Sequence, residues 1–227
     1  MCTVTFLPFS KDGFILTSSR DVSYNRAPAL EPKAYTEGGV SLFYPKDGEA
    51  GGTWIGSSDQ QRLICLLNGG FKNHQSNKFY ARSRGLVVKD LLKANNFTTA
   101  CLEITLEAIE PFTLVVIDWK TNLFLHEFVW DGDQRHLNRL EWQPRIWSSA
   151  TLYSSQMKAE REKWFSSWLE ADTLSPNGIL DFHQNAGSGD PYQDVFMRRE
   201  KVGTVSITQF VKDRDQQTMD YFGYGSK

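Results

Sequence analysis

Cysteine is scarce in this 227-residue chain, which has only Cys2, Cys65 and Cys101. An odd and sparse set argues against a disulfide framework and fits a reducing compartment where the thiols stay free. A surplus of charge is missing too. Twenty-five Lys and Arg stand against 27 Asp and Glu, a formal net charge of −2, without the basic excess expected of a nucleic-acid binder. No apolar run approaches the roughly 20 residues of a membrane helix. The N-terminus has no basic stretch ahead of a long apolar segment, so neither a membrane span nor a secretory signal is expected, and the chain reads as cytoplasmic. Repeats and low-complexity tracts are absent. The four histidines (His74, His126, His136 and His183) are scattered, with no Cys or acid at metal-ligand spacing, so no metal is expected. There is no phosphate-binding P-loop and no dinucleotide glycine fingerprint after a strand, so no cofactor is expected.

What is present is ample apolar material, 40% hydrophobic with 13% aromatic, enough for one domain over residues 1–227. TVTF and FILT have strand composition around a turn at 10–13, predicting an opening hairpin. A proline-rich tract then reads as extended loop with short edge strands. The runs TWI and LICLL predict a second hairpin, the latter buried on both faces. Apolar spacing predicts helices over 83–94 and 99–109. FTLVVIDW and LFLHEFVW predict a third hairpin, followed by a strand at 137–142. A long helix over 154–171 carries Met157, Trp164, Phe165, Trp168 and Leu169 on one face, as core or as the wall of an apolar groove. A further helix is expected over 177–185, then a last hairpin from 195–197 to 204–211, with a polar tail beyond 213. Runs of antiparallel strands alternating with paired helices describe a layered α+β domain.

Chemistry concentrates at the N-terminus. Removal of Met1 would leave Cys2 with a thiol and a free α-amine. Such an amine has a reference pKa of roughly 7.7–8.0 and is about one-tenth neutral base near pH 7. A thiol beside a base is an activated nucleophile within one residue. The opening hairpin would return Asp21 towards Cys2, where its carboxylate could hold the amine. Residue types alone leave another reading open, in which Met1-Cys2 merely follows from translation start and Arg20-Asp21 is a surface pair. Asn68-Gly69-Gly70 ends a strand, as a simple turn or as backbone N–H groups for an oxyanion hole.

MCTVTFLP, TSSRD, GGTWIG, LLNGG and RSRG occur here in that order. The series resembles the NRDE family, also called the transport and Golgi organisation protein 2 family, related to the N-terminal nucleophile hydrolases. The resemblance implies a four-layer αββα sandwich of antiparallel sheets. It implies Cys2 as nucleophile, Asp21 orienting the amine and the Asn68 strand end binding the oxyanion; the relatives' Arg falls at Ser18 here, which leaves Arg20 to bias the local charge or to meet an acidic group of the substrate. Ser149 falls where the relatives have an oxyanion-binding Asn, and the family's Asn-Arg-Asp-Glu signature stands here as Ser19-Arg20-Asp21-Val22. Two functions follow from the resemblance. One is an amidohydrolase cleaving a linear amide or acyl bond of a small molecule. The other is a non-catalytic carrier of an apolar ligand, haem or an acyl lipid, on the same scaffold.

Overall fold

The computed structural model describes residues 3–75, 80–171 and 174–225. In chain order the elements begin with β1 (Thr3–Phe9), β2 (Gly13–Ser23), β3 (Leu30–Glu37), β4 (Val40–Lys46), β5 (Ile55–Ser58) and β6 (Arg62–Asn68). Helices α1 (Arg84–Lys93) and α2 (Phe97–Glu103) follow, then β7 (Phe112–Asp118), β8 (Phe124–Trp130), β9 (Arg135–Leu140) and β10 (Arg145–Ser148). The chain closes with α3 (Ser155–Ala171), α4 (Pro176–Asn185), β11 (Val202–Asp213) and β12 (Gln216–Gly223). Among the described residues this is an α+β chain with two antiparallel sheets and four helices. No described helix is long and apolar enough to cross a membrane. Two compact units divide the chain: Met1–Arg26 with Gln143–Lys227, and Ala27–Trp142.

The first unit holds a five-stranded sheet in the order β10-β1-β2-β11-β12. Strand β1 pairs with β2 on one side (Thr3 opposite Ser19) and with β10 on the other (Thr3 opposite Ser148). Successive strand residues point to opposite faces, and Leu7 and Ile15 meet the helices there. They form a buried cluster with Phe165, Ile179, Phe182 and Val195, closed by Trp164, Trp168 and Leu169. The aromatic face of α3 is therefore core. Helix α4 starts where its sequence says it should. The Ser175 side chain caps the Gly178 N–H at 3.0 Å and Pro176 occupies the first turn, where a missing N–H costs nothing.

The second unit is a seven-stranded meander, β3 to β9 in sequence order. Helix α1 lays Val87, Val88, Leu91 and Leu92 against it. Arg62, 1% exposed, ties the two together. Its guanidinium meets Asp118 at 2.8 Å and donates to the carbonyls of Leu91 and Ala94 at 2.8 and 2.7 Å, serving carbonyls left over at the helix end. The glycines of GGTWIG and RSRG meet each other. A Cβ on Gly52 would lie 2.6 Å from the Gly85 carbonyl carbon, and one on Gly85 would lie 2.8 Å from the Thr53 oxygen. These motifs are close-packing devices that seat α1.

Three expectations are corrected. The helix expected over 99–109 is α2, shorter and shifted, and 106–109 is a turn closed by the Ile109 N–H on the Leu106 carbonyl. The tract before 50 holds a full hairpin, β3 and β4, with Pro32 on the edge strand, where no ladder partner is needed. The last hairpin is β11 with β12, so the polar tail is a paired strand. Residues 195–197 are apolar because Val195 and Met197 are buried in the first unit's clusters, not because they form a strand.

Gly52→Ala is expected to destabilise the protein by about 1–3 kcal/mol through overpacking. This would be read as a lower denaturant midpoint at unchanged slope. An unaltered midpoint would show that the Gly52–Gly85 contact can open freely.

Candidate functional site

Strand β2 carries Thr17, Ser18, Ser19, Arg20 and Asp21 in sequence, all at most 3% exposed. So polar a run in the middle of a sheet demands partners. Burial also overturns the reading of Arg20-Asp21 as a surface pair. Alternation sends Ser19 and Asp21 towards the helices and Arg20 the other way.

Asp21 is held from both of its oxygens. The Tyr153 hydroxyl donates to Oδ2 at 2.6 Å and the Thr204 hydroxyl donates to Oδ1 at 2.6 Å. Thr204 comes from β11, opposite Asp21 in register. Tyr153 comes from the segment that leaves β10 for α3. Its ring lies under the Arg161 guanidinium, 3.7 Å from the centroid, with the Arg199 guanidinium at 5.6 Å. Arg161 has no exposed surface. It donates to the hydroxyl of Thr3 and to the carbonyls of Gln193 and Asp194.

His183, also fully buried, bridges the hydroxyls of Thr5 and Ser19 at 2.8 Å each. Burial, seconded by the charge of Arg161, pushes its pKa down to about 3. It is a neutral strut between β1 and β2, with one ring nitrogen donating and the other accepting.

The expected site residues fall as follows. Cys2 lies outside the described residues; its neighbour Thr3 is fixed by β-pairing on both sides and by Arg161. Arg20, Asp21 and Ser149 all belong to the first unit. Ser149 directly follows Ser148, the partner of Thr3, and its hydroxyl shares a hydrogen bond with that of Thr151 at 3.0 Å. Asn68 ends β6 in the second unit, half-buried, opposite Phe112. Beyond it Gly69, at φ 83°, gives its N–H to the Pro111 carbonyl at 3.0 Å. The amide after the strand end is thus already engaged. Tyr153, Arg161, His183 and Thr204 were not legible as site residues. Tyr153 and Thr204 stand 132 and 183 residues from Asp21, and Arg161 sits among Glu and Lys like an ordinary surface residue.

The second unit also has a cleft of about 360 Å³, walled by Leu123, Phe124, Leu125, Leu140 and Trp142, with Arg139 and Glu141 at it. Among the described residues no group of three His, Cys, Asp or Glu could hold a metal ion.

Comparison with known proteins gives the following. The family model described as Transport and Golgi organisation 2 matches residues 1–180. Among solved structures, the chain is similar to a Caenorhabditis elegans ortholog of N-acylethanolamine-hydrolyzing acid amidase. The TM-score is 0.60 at 12% identity over 92% of each chain. It is also similar to penicillin V acylase from Agrobacterium tumefaciens, with a TM-score of 0.50 at 11% identity over 98% of this chain and 86% of that one. At these identities the likeness shows the fold, that of the N-terminal nucleophile hydrolases. No curated protein sequence matches.

The neutral state of His183 gives a pH test. Its folded pKa lies below the unfolded value of about 6.5, so the unfolded chain takes up the proton first. The stabilisation is full above pH ~6.5 and is lost progressively as pH falls towards 3. Between pH 7 and 5.5 the wild type is expected to lose about 1 kcal/mol through this group. A His183→Gln variant should lack that increment in denaturant titrations. Equal pH slopes for the two proteins would remove His183 as the cause.

Proposed function

The chain belongs to the Transport and Golgi organisation 2 family, and on that premise we propose that it is an N-terminal nucleophile amidohydrolase with Cys2 as nucleophile. Its substrate class is a small molecule with a linear amide, in keeping with the N-acylethanolamine amidase whose fold it shares. The observation that carries this reading is Asp21, a buried carboxylate fixed through both oxygens on the strand paired to the one that begins at Thr3. An isolated buried carboxylate is costly, and a site that must orient an amine gives it a purpose.

In the proposed reaction the Cys2 sulfur attacks the amide carbon while the residue's own α-amine takes the thiol proton. The C–N bond breaks and that proton passes to the departing amine, leaving a thioester. Water then attacks the thioester, releases the acid and restores the thiol. Asp21 orients the α-amine through this cycle. The hydroxyl of Ser149 is an oxyanion donor in this reading. Arg20 biases the local charge or meets an acidic group of the substrate. The free thiols of Cys65 and Cys101 fit a reducing, cytoplasmic setting.

Purified protein is expected to lack Met1 by intact mass. Cys2→Ala is expected to lower hydrolysis of N-acyl amides by about 1000-fold or more. A retained Met1, or a Cys2→Ala variant as active as the parent, would defeat the proposal.

One observation favours carriage of an apolar ligand as a second reading. The cleft at Leu123, Leu125, Leu140 and Trp142 has a volume within the range of ligand sites. Leu140→Asp should then weaken saturable binding of an acyl lipid or haem by about tenfold or more, since it puts a charge against an apolar wall. Unchanged titration curves would set this reading aside.

A further inference from the structure

The two hydroxyls on Asp21 are themselves held by further contacts. The Thr204 Oγ1 accepts the Met197 N–H at 2.9 Å. Its acceptor side is thereby engaged, and its one proton is directed to Asp21 at 2.6 Å. Among the described residues the Tyr153 hydroxyl reaches the acceptors Asp21 at 2.6 Å and the Met197 sulfur at 3.7 Å. The charged, closer oxygen is the stronger acceptor by a wide margin. Rotation of the Tyr153 ring is blocked by the Arg161 guanidinium stacked on it. Arg161 is itself fixed by carbonyls on the loop ahead of β11.

Strand β11 is shaped for the same contact. Residues two apart on a strand share a face, yet Thr204 stands opposite Asp21 and Ser206 opposite Arg20, which occupy opposite faces of β2. A β-bulge between Thr204 and Ser206 makes this possible. The extra residue Val205 turns the Thr204 side chain over to Asp21. Its carbonyl is satisfied from outside the ladder, by the Tyr224 N–H at 2.8 Å. Bulges that redirect one side chain are a recurring device beside active sites.

We propose that Tyr153 and Thr204 are positioning residues that clamp the Asp21 carboxylate in a single orientation, so that it meets the α-amine of Cys2 at a fixed geometry. Arg161 links this clamp to the start of β1, because the same guanidinium holds the Tyr153 ring and the Thr3 hydroxyl. The inference rests on the nucleophile assignment above, and it predicts an effect on the Cys2 thiol that can be read without any substrate.

The experiment is the pH profile of Cys2 alkylation by iodoacetamide, localised by peptide mass spectrometry. Cys65 and Cys101 have no exposed surface, and burial pushes the Cys101 thiol up to about 12, so the reagent discriminates. Tyr153→Phe keeps the ring under Arg161 and removes only the hydroxyl. Thr204→Val keeps the shape and removes the other donor, together with the acceptor of the Met197 N–H. Letting a carboxylate swing away lowers the pKa of a neighbouring titrating group. Each variant is therefore expected to move the alkylation midpoint down by about half a pH unit or more, and to lower kcat more than it raises KM. A merely structural role would lower the melting temperature and leave the midpoint in place. Unshifted midpoints in both variants, with amide hydrolysis still dependent on Cys2, would overturn the clamp and leave the enzyme assignment standing. Shifted midpoints in a protein whose hydrolysis survives Cys2→Ala would support the clamp and overturn the enzyme assignment instead.

Discussion

A guanidinium with no exposed surface anchors the first unit. Removing an ion from water costs several kcal/mol even after relaxation, so Arg161 is tolerable only where its donors and its face are occupied. Two backbone carbonyls, the Thr3 hydroxyl and the face of Tyr153 occupy them. Because the planar fork fixes its partners in direction as well as distance, helix α3, the loop ahead of β11 and the first described residue of β1 are held to one another. Tyr153 transmits that constraint to Asp21, and His183 repeats it one layer along as a neutral bridge between β1 and β2.

The second unit uses the same device for a different end. Arg62 is as deeply buried as Arg161, but its partners are the Asp118 carboxylate and the terminal carbonyls of α1. There the buried cation ties a helix to its sheet. The comparison separates two kinds of motif in the sequence. GGTWIG and RSRG, which carry much of the family resemblance, are explained by backbones that must approach within contact at Gly52 and Gly85. Their signature is one of architecture. TSSRD is different, since its buried Asp does no packing that an apolar residue could not do better.

Much of the scaffold was readable from the chain. Hairpins at β1–β2 and β7–β8, and the helices α3 and α4, follow from local spacing, because a period of two or near 3.6 is written residue by residue. The misreadings share one cause. β12 reads as a fraying tail because this edge strand opens on exposed Gln216, Gln217 and Thr218 and its apolar alternation is confined to Met219 and Tyr221. Residues 195–197 look like a strand because Val195 and Met197 are buried, yet a loop that supplies core has the same composition. Burial is decided by the partner surface, and composition reports burial without saying what form the backbone takes.

The sequence by itself determined the α+β class and most of the paired strands, and it singled out Cys2 and Asp21 as a candidate pair. Tertiary structure decided what holds that carboxylate. Tyr153 and Thr204 reach Asp21 only through sheet order, register and a single extra residue in β11. None of these leaves a periodic trace, since each is set by the whole chain closing on itself and not by the preferences of neighbouring residues.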